Sequence, residues 1–197
     1  MRTAKIIAMK HLFPFLFILL CSSSIFAKKM IYPIEVVIGM ADLIVVGEIE
    51  SLNAGSYQFQ VNQTLKGQAD EGIRVERYKE WICDIRVKKP EIGQKLVLFL
   101  TQSGGKYEII NGSSGELFIE NDSVFVPVFN QQPTLSELAE AVKSASSCFE
   151  MKHKKYPSQG GSQFIQLKPN DYLEEIAKQS AFSAWLIERF KRNIIEE

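Results

Sequence analysis

The stretch from Ala41 to Gly67 constrains the fold more than any other part of the chain. Its first half, residues 43–52, begins with a run of four β-branched or leucine residues and has Gly47 in the middle. Its second half, residues 57–65, alternates apolar and polar side chains after a short turn. A buried strand followed by an alternating strand predicts the start of a small antiparallel barrel or sandwich. The internal glycine predicts a bulge or a tight bend.

The chain continues as short strands separated by turn residues. Further strands are predicted at 72–78, 94–101 and 106–110, followed by a hairpin of 117–120 and 123–126. Residues 34–42 predict a short helix or an extended segment, since their β-branched side chains weaken a helix. Thr134 and Glu137 have the spacing of a capping box, and an apolar stripe follows them. We therefore expect a mainly β fold with flanking helices, one of which covers an end of the barrel.

The sequence divides into four segments. They are a signal peptide at 1–27, a barrel domain with its packed helix at 28–149, a linker at 150–163 and a C-terminal helical extension at 164–197. The extension predicts a short edge strand at 164–167 and one long helix from Pro169 to about Ile195, with acidic residues at its start and basic residues near its end.

The predicted long helix carries an apolar stripe that must be buried against something. Its candidate partner-contact residues are Phe182, Trp185, Leu186 and Phe190. Three surfaces are open to this stripe: the protein's own barrel, a partner protein or a membrane surface. We expect the helix to dock on the barrel or on a partner, with Trp185 as the anchor.

Residues 1–27 have the order of a secretory signal. A basic start precedes the apolar core at 12–20, and small residues lead to Ala27 before the expected cleavage. A retained membrane anchor is an alternative, as is lipidation of Cys21. Cleavage removes three basic side chains and no acidic ones, which leaves 20 basic against 23 acidic. An exported, mildly acidic domain is a poor nucleic-acid binder, so we expect the partner to be a protein. Membrane contact is expected only if the signal segment is retained or Cys21 is lipidated.

Two cysteines, Cys83 and Cys148, remain after cleavage. In an oxidising compartment this number predicts one disulfide between them. Two buried thiols are the alternative.

The mature sequence contains no recognisable catalytic motif. Its one histidine, His153, lies in a basic linker, so a triad or metal site built on several histidines is excluded. Glu48 and Glu50 share one side of a predicted strand, which is more typical of a solvated face than of acid–base catalysis. The aromatic residues Tyr57, Phe59, Tyr78, Trp81 and Tyr107 could line a ligand-binding face or fill the core. No cofactor is indicated.

Several segments together resemble the netrin-like modules, which include the tissue inhibitors of metalloproteinases and bacterial exported domains of similar pattern. The segments are residues 41–49, 59–67, Cys83 in a loop, 93–100 and 107–112, and the resemblance spans roughly residues 33 to 149. It implies an OB-like five-stranded antiparallel barrel with a helix packed on it. The inhibitors chelate the protease zinc through an N-terminal cysteine, whereas the expected mature chain begins Lys28-Lys29-Met30, so the inhibitory mechanism does not carry over.

The sequence thus predicts a non-enzymatic, exported, protein-binding module of OB-like fold. An enzyme with an unrecognised acid–base site is one alternative. A barrel that binds oligosaccharides is another.

Overall fold

The structure, a computed structural model, describes residues 29–152 and 163–194. The predicted signal peptide, Cys21, His153 and most of the predicted linker lie outside the described residues. The strands are β1 (Leu43–Asn53), β2 (Ser56–Lys66), β3 (Gly72–Glu76), β4 (Lys95–Ser103), β5 (Lys106–Ile109), β6 (Glu116–Glu120), β7 (Ser123–Val124), β8 (Phe149–Met151) and β9 (Phe164–Gln166). The helices are α1 (Ile34–Met40), α2 (Leu135–Cys148), α3 (Asn170–Ala177) and α4 (Ala181–Lys191), with a 3-10 turn at Gly112–Gly115.

Five strands close into a barrel in the order β1-β2-β3-β5-β4, with β4 returning to β1. All neighbours are antiparallel except β3 and β5, which pair in parallel through Val75 and Tyr107 and through Glu76 and Glu108. Strands β6 and β7 extend the sheet beyond β4. The predicted mainly β fold, an OB-like five-stranded barrel with flanking helices, is confirmed.

Gly47 lies at an irregularity in the pairing of β1 with β2, where the register shifts between Val46 and Gly47. A Cβ atom at Gly47 would lie 1.9 Å from the carbonyl oxygen of Gln60. No side chain fits in that space, which explains the glycine inside an apolar strand and confirms the predicted bulge.

Residues 43–47 of β1 and 96–100 of β4 are buried on both faces. One set of their side chains, including Val45 and Leu98, fills the barrel interior with Phe59. The alternate set, including Ile44 and Phe99, faces a second core shared with the helices. This double burial explains the uninterrupted apolar runs at 43–46 in β1 and 96–100 in β4.

Helices α1 and α2 form where the sequence placed helical signals. The capping box at the start of α2 is present: the N–H of Glu137 donates to Thr134 Oγ1 (3.2 Å) and the N–H of Thr134 donates to Glu137 Oε2 (2.8 Å). Residues Ile34–Met40 are helical despite their β-branched content, because most of α1 is buried. Lys66 at the end of β2 donates to the carbonyl of Ile38 (2.8 Å), near the C-terminus of α1.

The C-terminal segment contains two helices, so the prediction of one long helix was wrong. The break lies at residues 178–180, where the Ser180 hydroxyl accepts from the N–H of Ser183 (3.0 Å) and begins a new helix, α4. The two residues at the start of the predicted linker belong to β8, which pairs with β9. The Phe190 ring stacks on Phe149 with centroids 4.6 Å apart, so α4 packs in the same core as α2.

Candidate functional site

The connection between β3 and β4, residues 77–94, is the longest irregular segment of the barrel, and the usual burial of apolar and charged side chains is reversed in its middle part, residues 82–87. We call it the β3–β4 loop. Asp84 and Arg86 are buried, with 6% and 7% of their surface exposed. Ile82, Ile85 and Val87 are 87%, 66% and 64% exposed. Residues 82–87 of the loop therefore direct two charged side chains inward and three apolar side chains outward, opposite to the usual arrangement.

Arg86 is held in the protein by a buried ion pair with Glu116 at the start of β6. Its Nε lies 2.6 Å from Oε1 and its Nη2 lies 3.1 Å from Oε2. The Tyr57 hydroxyl donates to the same carboxylate (3.3 Å), and the guanidinium lies 4.0 Å from the centroid of the Tyr78 ring. Glu80 within the loop accepts from Arg86 Nη1 (3.3 Å). We call these five residues the anchor cluster.

The anchor cluster shifts the pKa values of its own members. Burial and the nearby Glu116 carboxylate raise the pKa of Tyr57 well above its ordinary value. Burial also raises the pKa of Tyr78. Burial by itself would lower the pKa of Arg86, but the hydrogen bonds and charge of Glu116 outweigh it and raise that pKa. Arg86 therefore stays charged and both phenols stay neutral at physiological pH.

Asp84 is a second fixed point of the loop. Its carboxylate accepts from the N–H of Ser113 (3.2 Å), and its backbone N–H donates to the carbonyl of Trp81 (2.8 Å). The carboxylate lies so close to Gly112 that a Cβ there would approach Asp84 Oδ2 to 2.0 Å, and Gly112 also has a positive φ of 55°. With Asp84 and Arg86 both fixed, the apolar side chains between and around them are held on the surface.

A groove of about 360 Å³ runs beside the loop. Val87 and Lys88 of the loop line it together with Phe118 and Phe125. Phe125 is 50% exposed, and Lys88 forms an ion pair with Glu120 in the same groove. The exposed apolar surface of the loop therefore continues into a concave one.

A second concavity, which we call the α4 pocket, has a volume of about 270 Å³. It lies among the segment preceding α1, the residues after β7, and α4. Its lining residues are mostly apolar: Ile31, Tyr32, Pro33, Ile34, Ser114, Leu117, Pro127, Val128, Trp185 and Arg189.

The four residues predicted as partner contacts on the last helix occupy two different environments. Phe182, Leu186 and Phe190 are each at most 1% exposed and belong to the core shared with α1 and α2. Trp185 is half-buried, packs at a tilt against Phe129 with ring centroids 5.0 Å apart, and lines the α4 pocket. Of the alternatives for this helix, docking within the chain is what the structure contains.

Cys83 and Cys148 are not joined in the structure. Cys83 is exposed on the β3–β4 loop and Cys148 is buried at the end of α2. Burial raises the pKa of Cys148, so its thiol stays protonated. Mass spectrometry without reduction decides whether the two thiols form the bond predicted from the sequence.

The other candidates do not assemble into a reactive site. Glu48 is half-buried and Glu50 is exposed, with a register shift beside them in β1. Of the aromatic candidates, Tyr57 and Phe59 fill the barrel core, Tyr78 and Tyr107 pack at its border, and Trp81 is 42% exposed on the β3–β4 loop. Among residues 29–152 and 163–194, no group of three or more His, Cys, Asp and Glu side chains could hold a metal ion. In the same part of the chain, no helix is both long and apolar enough to cross a membrane.

Sequence reasoning missed Asp84, Arg86 and Glu116, which build the candidate site. A signal was present, because charged and apolar residues alternate from Cys83 to Val87. The period of two along a strand predicts that the side chains alternate between two faces, but not which set is buried. Here the charged set is inside because Glu116 and the backbone at Ser113 lie beneath it.

The fold and the loop together define a class: an OB-like barrel with a helical layer and an outward-facing apolar loop. Comparison with protein-family models finds no match, and comparison with curated proteins finds none either. The netrin-like resemblance therefore depends on the sequence segments alone.

Proposed function

We propose that this protein is a non-enzymatic, exported, protein-binding module that contacts its partner through the β3–β4 loop. The observation that carries the proposal is the reversed burial of apolar and charged side chains at residues 82–87 of that loop. Ile82, Ile85 and Val87 are exposed although buried charges anchor the residues between them. Exposed apolar patches on small proteins usually mark contact surfaces.

The backbone of the loop supports a particular kind of partner. The N–H and C=O groups of Ile85 and Val87 have no hydrogen-bond partner in the described part of the chain. Their side chains point outward while Arg86 points inward, as in an extended strand. An extended apolar segment of a partner protein could pair with this backbone and place side chains in the adjoining groove.

Rigidity is the second support. The anchor cluster and the Asp84 contacts fix the loop before a partner arrives, which lowers the entropy that binding must overcome. A mobile apolar loop would lose this advantage. The netrin-like resemblance agrees with a binding role for barrel loops, without the zinc-chelating terminus of the inhibitors.

Site-specific photo-crosslinking in the native exported fraction tests the proposal. A photoreactive phenylalanine derivative replaces Ile82, and the matched control places it at Leu167, which is 50% exposed elsewhere on the chain. A defined protein should crosslink from position 82, not from position 167. Ile85→Asp should abolish that crosslink. Equal crosslinking from both positions, or no effect of Ile85→Asp, contradicts the proposal.

Export is part of the same proposal and has its own test. N-terminal sequencing of the secreted or periplasmic protein should begin at Lys28. A mature chain that still begins at Met1 or Met9 contradicts it.

A further inference from the structure

We propose that the α4 pocket binds one large apolar residue of a peptide segment, with its side chain in the pocket and its backbone carbonyl accepting a hydrogen bond from Arg189. This goes beyond the proposed function, because none of the pocket residues belongs to the β3–β4 loop. The inference stands on the walls of the pocket, a strained residue at its rim and one available donor.

The walls select an apolar group. Ile34, Leu117 and Trp185 are among the lining residues, and the side chains with polar groups are Tyr32, Ser114 and Arg189. The volume of about 270 Å³ is slightly below the usual range for drug-sized ligands. One large side chain with its backbone suits this space, in the manner of an interface anchor residue.

Val128 at the rim is held in a strained conformation. Its φ is 72°, in the left-handed region that β-branched residues rarely adopt. The N–H of Phe129 donates to the carbonyl of Val126 (3.3 Å), which places Val128 at the turn position usually occupied by glycine or asparagine. Its side chain is 83% exposed and lines the pocket. Since the fold gains little from this exposed side chain, the strain points to a contact with a ligand.

Arg189 supplies the polar contact. Its Nε and Nη2 bind the buried Glu35 carboxylate at 2.6 and 3.1 Å, and its guanidinium lies 5.0 Å from the centroid of the Trp185 ring. Its Nη1 has no hydrogen-bond partner within residues 29–152 and 163–194. A donor therefore remains beside the apolar wall.

The charges of Arg189 and Glu35 favour a ligand whose hydrogen-bond acceptor is neutral. Glu35 already balances the charge of Arg189, so a ligand carboxylate would compete with a buried one. A cationic group would face the guanidinium in an apolar pocket. A peptide carbonyl is neutral, so it neither competes with Glu35 nor is repelled by the guanidinium. The same residue also supplies the apolar side chain for the pocket.

Fluorescence titration with capped amino acids tests the proposal. Trp81→Phe leaves Trp185 as the single tryptophan of the chain, since the sequence has two. N-acetyl-phenylalaninamide should change the Trp185 emission saturably, whereas N-acetyl-glycinamide should not. In the same background, Val128→Asn, which suits the left-handed backbone but removes the apolar rim, should weaken binding about tenfold. It should also leave the melting temperature unchanged or higher.

The role of Arg189 needs a variant that folds. Arg189→Met alone would leave Glu35 buried without its partner, so Glu35→Gln accompanies it. A melting temperature within the range of the parent confirms that the pair of substitutions is tolerated. Compared with the parent, this double variant should bind N-acetyl-phenylalaninamide about tenfold more weakly. It should bind toluene, which has no carbonyl, with the affinity of the parent. Absence of a saturable change in the parent overturns the proposal. So does an equal effect of the double variant on both probes, or none on the capped amide.

Discussion

Replacing Arg86 by methionine should destabilise the protein more than most single substitutions. The Arg86 and Glu116 side chains are 3% and 2% exposed, and two short N–O contacts join them. Arg86→Met removes both contacts and leaves the Glu116 carboxylate buried with the Tyr57 hydroxyl as its remaining donor. Breaking one side of a buried pair costs about 3–5 kcal/mol, since the other charge is left uncompensated. For a chain of this size that corresponds to a fall in melting temperature of roughly 6–20 °C.

The double variant Arg86→Met/Glu116→Leu distinguishes the cost of an uncompensated buried charge from the cost of losing the ion pair. Replacing both charges by apolar groups removes the uncompensated carboxylate, so the free energy of unfolding should return to within about 2 kcal/mol of the wild type. Urea denaturation at pH 7 measures each variant, and an unchanged m-value shows that the comparison is valid. The matched control is Arg192→Met. It breaks an exposed pair with Glu188 in α4, which should cost about 0.5 kcal/mol or less.

Two results would refute this reasoning. One is a loss below about 1 kcal/mol for Arg86→Met, which would mean that the Glu116 carboxylate is solvated or has another partner. The other is a loss of unfolding free energy in the double variant equal to the sum of the losses in the two single variants, which would mean that the residues do not interact. If the reasoning holds, Arg86→Met should also abolish the crosslink from position 82, because the loop loses its fixed position.

Three further predictions concern the core and the helical layer. Tyr57→Phe should reduce the loss of stability at alkaline pH. The pKa of Tyr57 is raised in the folded protein, so the stability that the protonated phenol contributes is complete below about pH 10 and falls above it by about 1.4 kcal/mol per pH unit. Denaturation at several pH values measures this slope, with Tyr172→Phe as the control. Gly47→Ala should cost about 3 kcal/mol in urea denaturation, since the new Cβ meets the Gln60 carbonyl; a wild-type midpoint would show that the bulge relaxes freely. Trp185→Ala should lower the unfolding free energy by about 3 kcal/mol through lost aromatic packing, and an unchanged melting temperature would contradict the docking of α4.

Local signals were sufficient for several regular elements of this protein. The apolar run at β1, the alternation at β2 and the capping box of α2 each depend on residues within a few positions of one another. Such signals act before any tertiary contact forms, so periodicity and turn chemistry identify them. They also identified the bulge at Gly47, although the reason for it, the Gln60 carbonyl, belongs to another strand.

Only the tertiary structure decided the features that could carry function. The inward direction of Arg86 depends on Glu116, 30 residues away, and the pairing of Arg189 with Glu35 spans 154 residues. The division of the C-terminal segment into α3 and α4 also went unpredicted, although the Ser180 cap that begins α4 is a local signal. Whether a charged side chain is buried depends on which partner the fold brings beneath it. Alternation within one segment cannot reveal that partner, because it describes the period of the side chains and not the chemistry of the surface they meet.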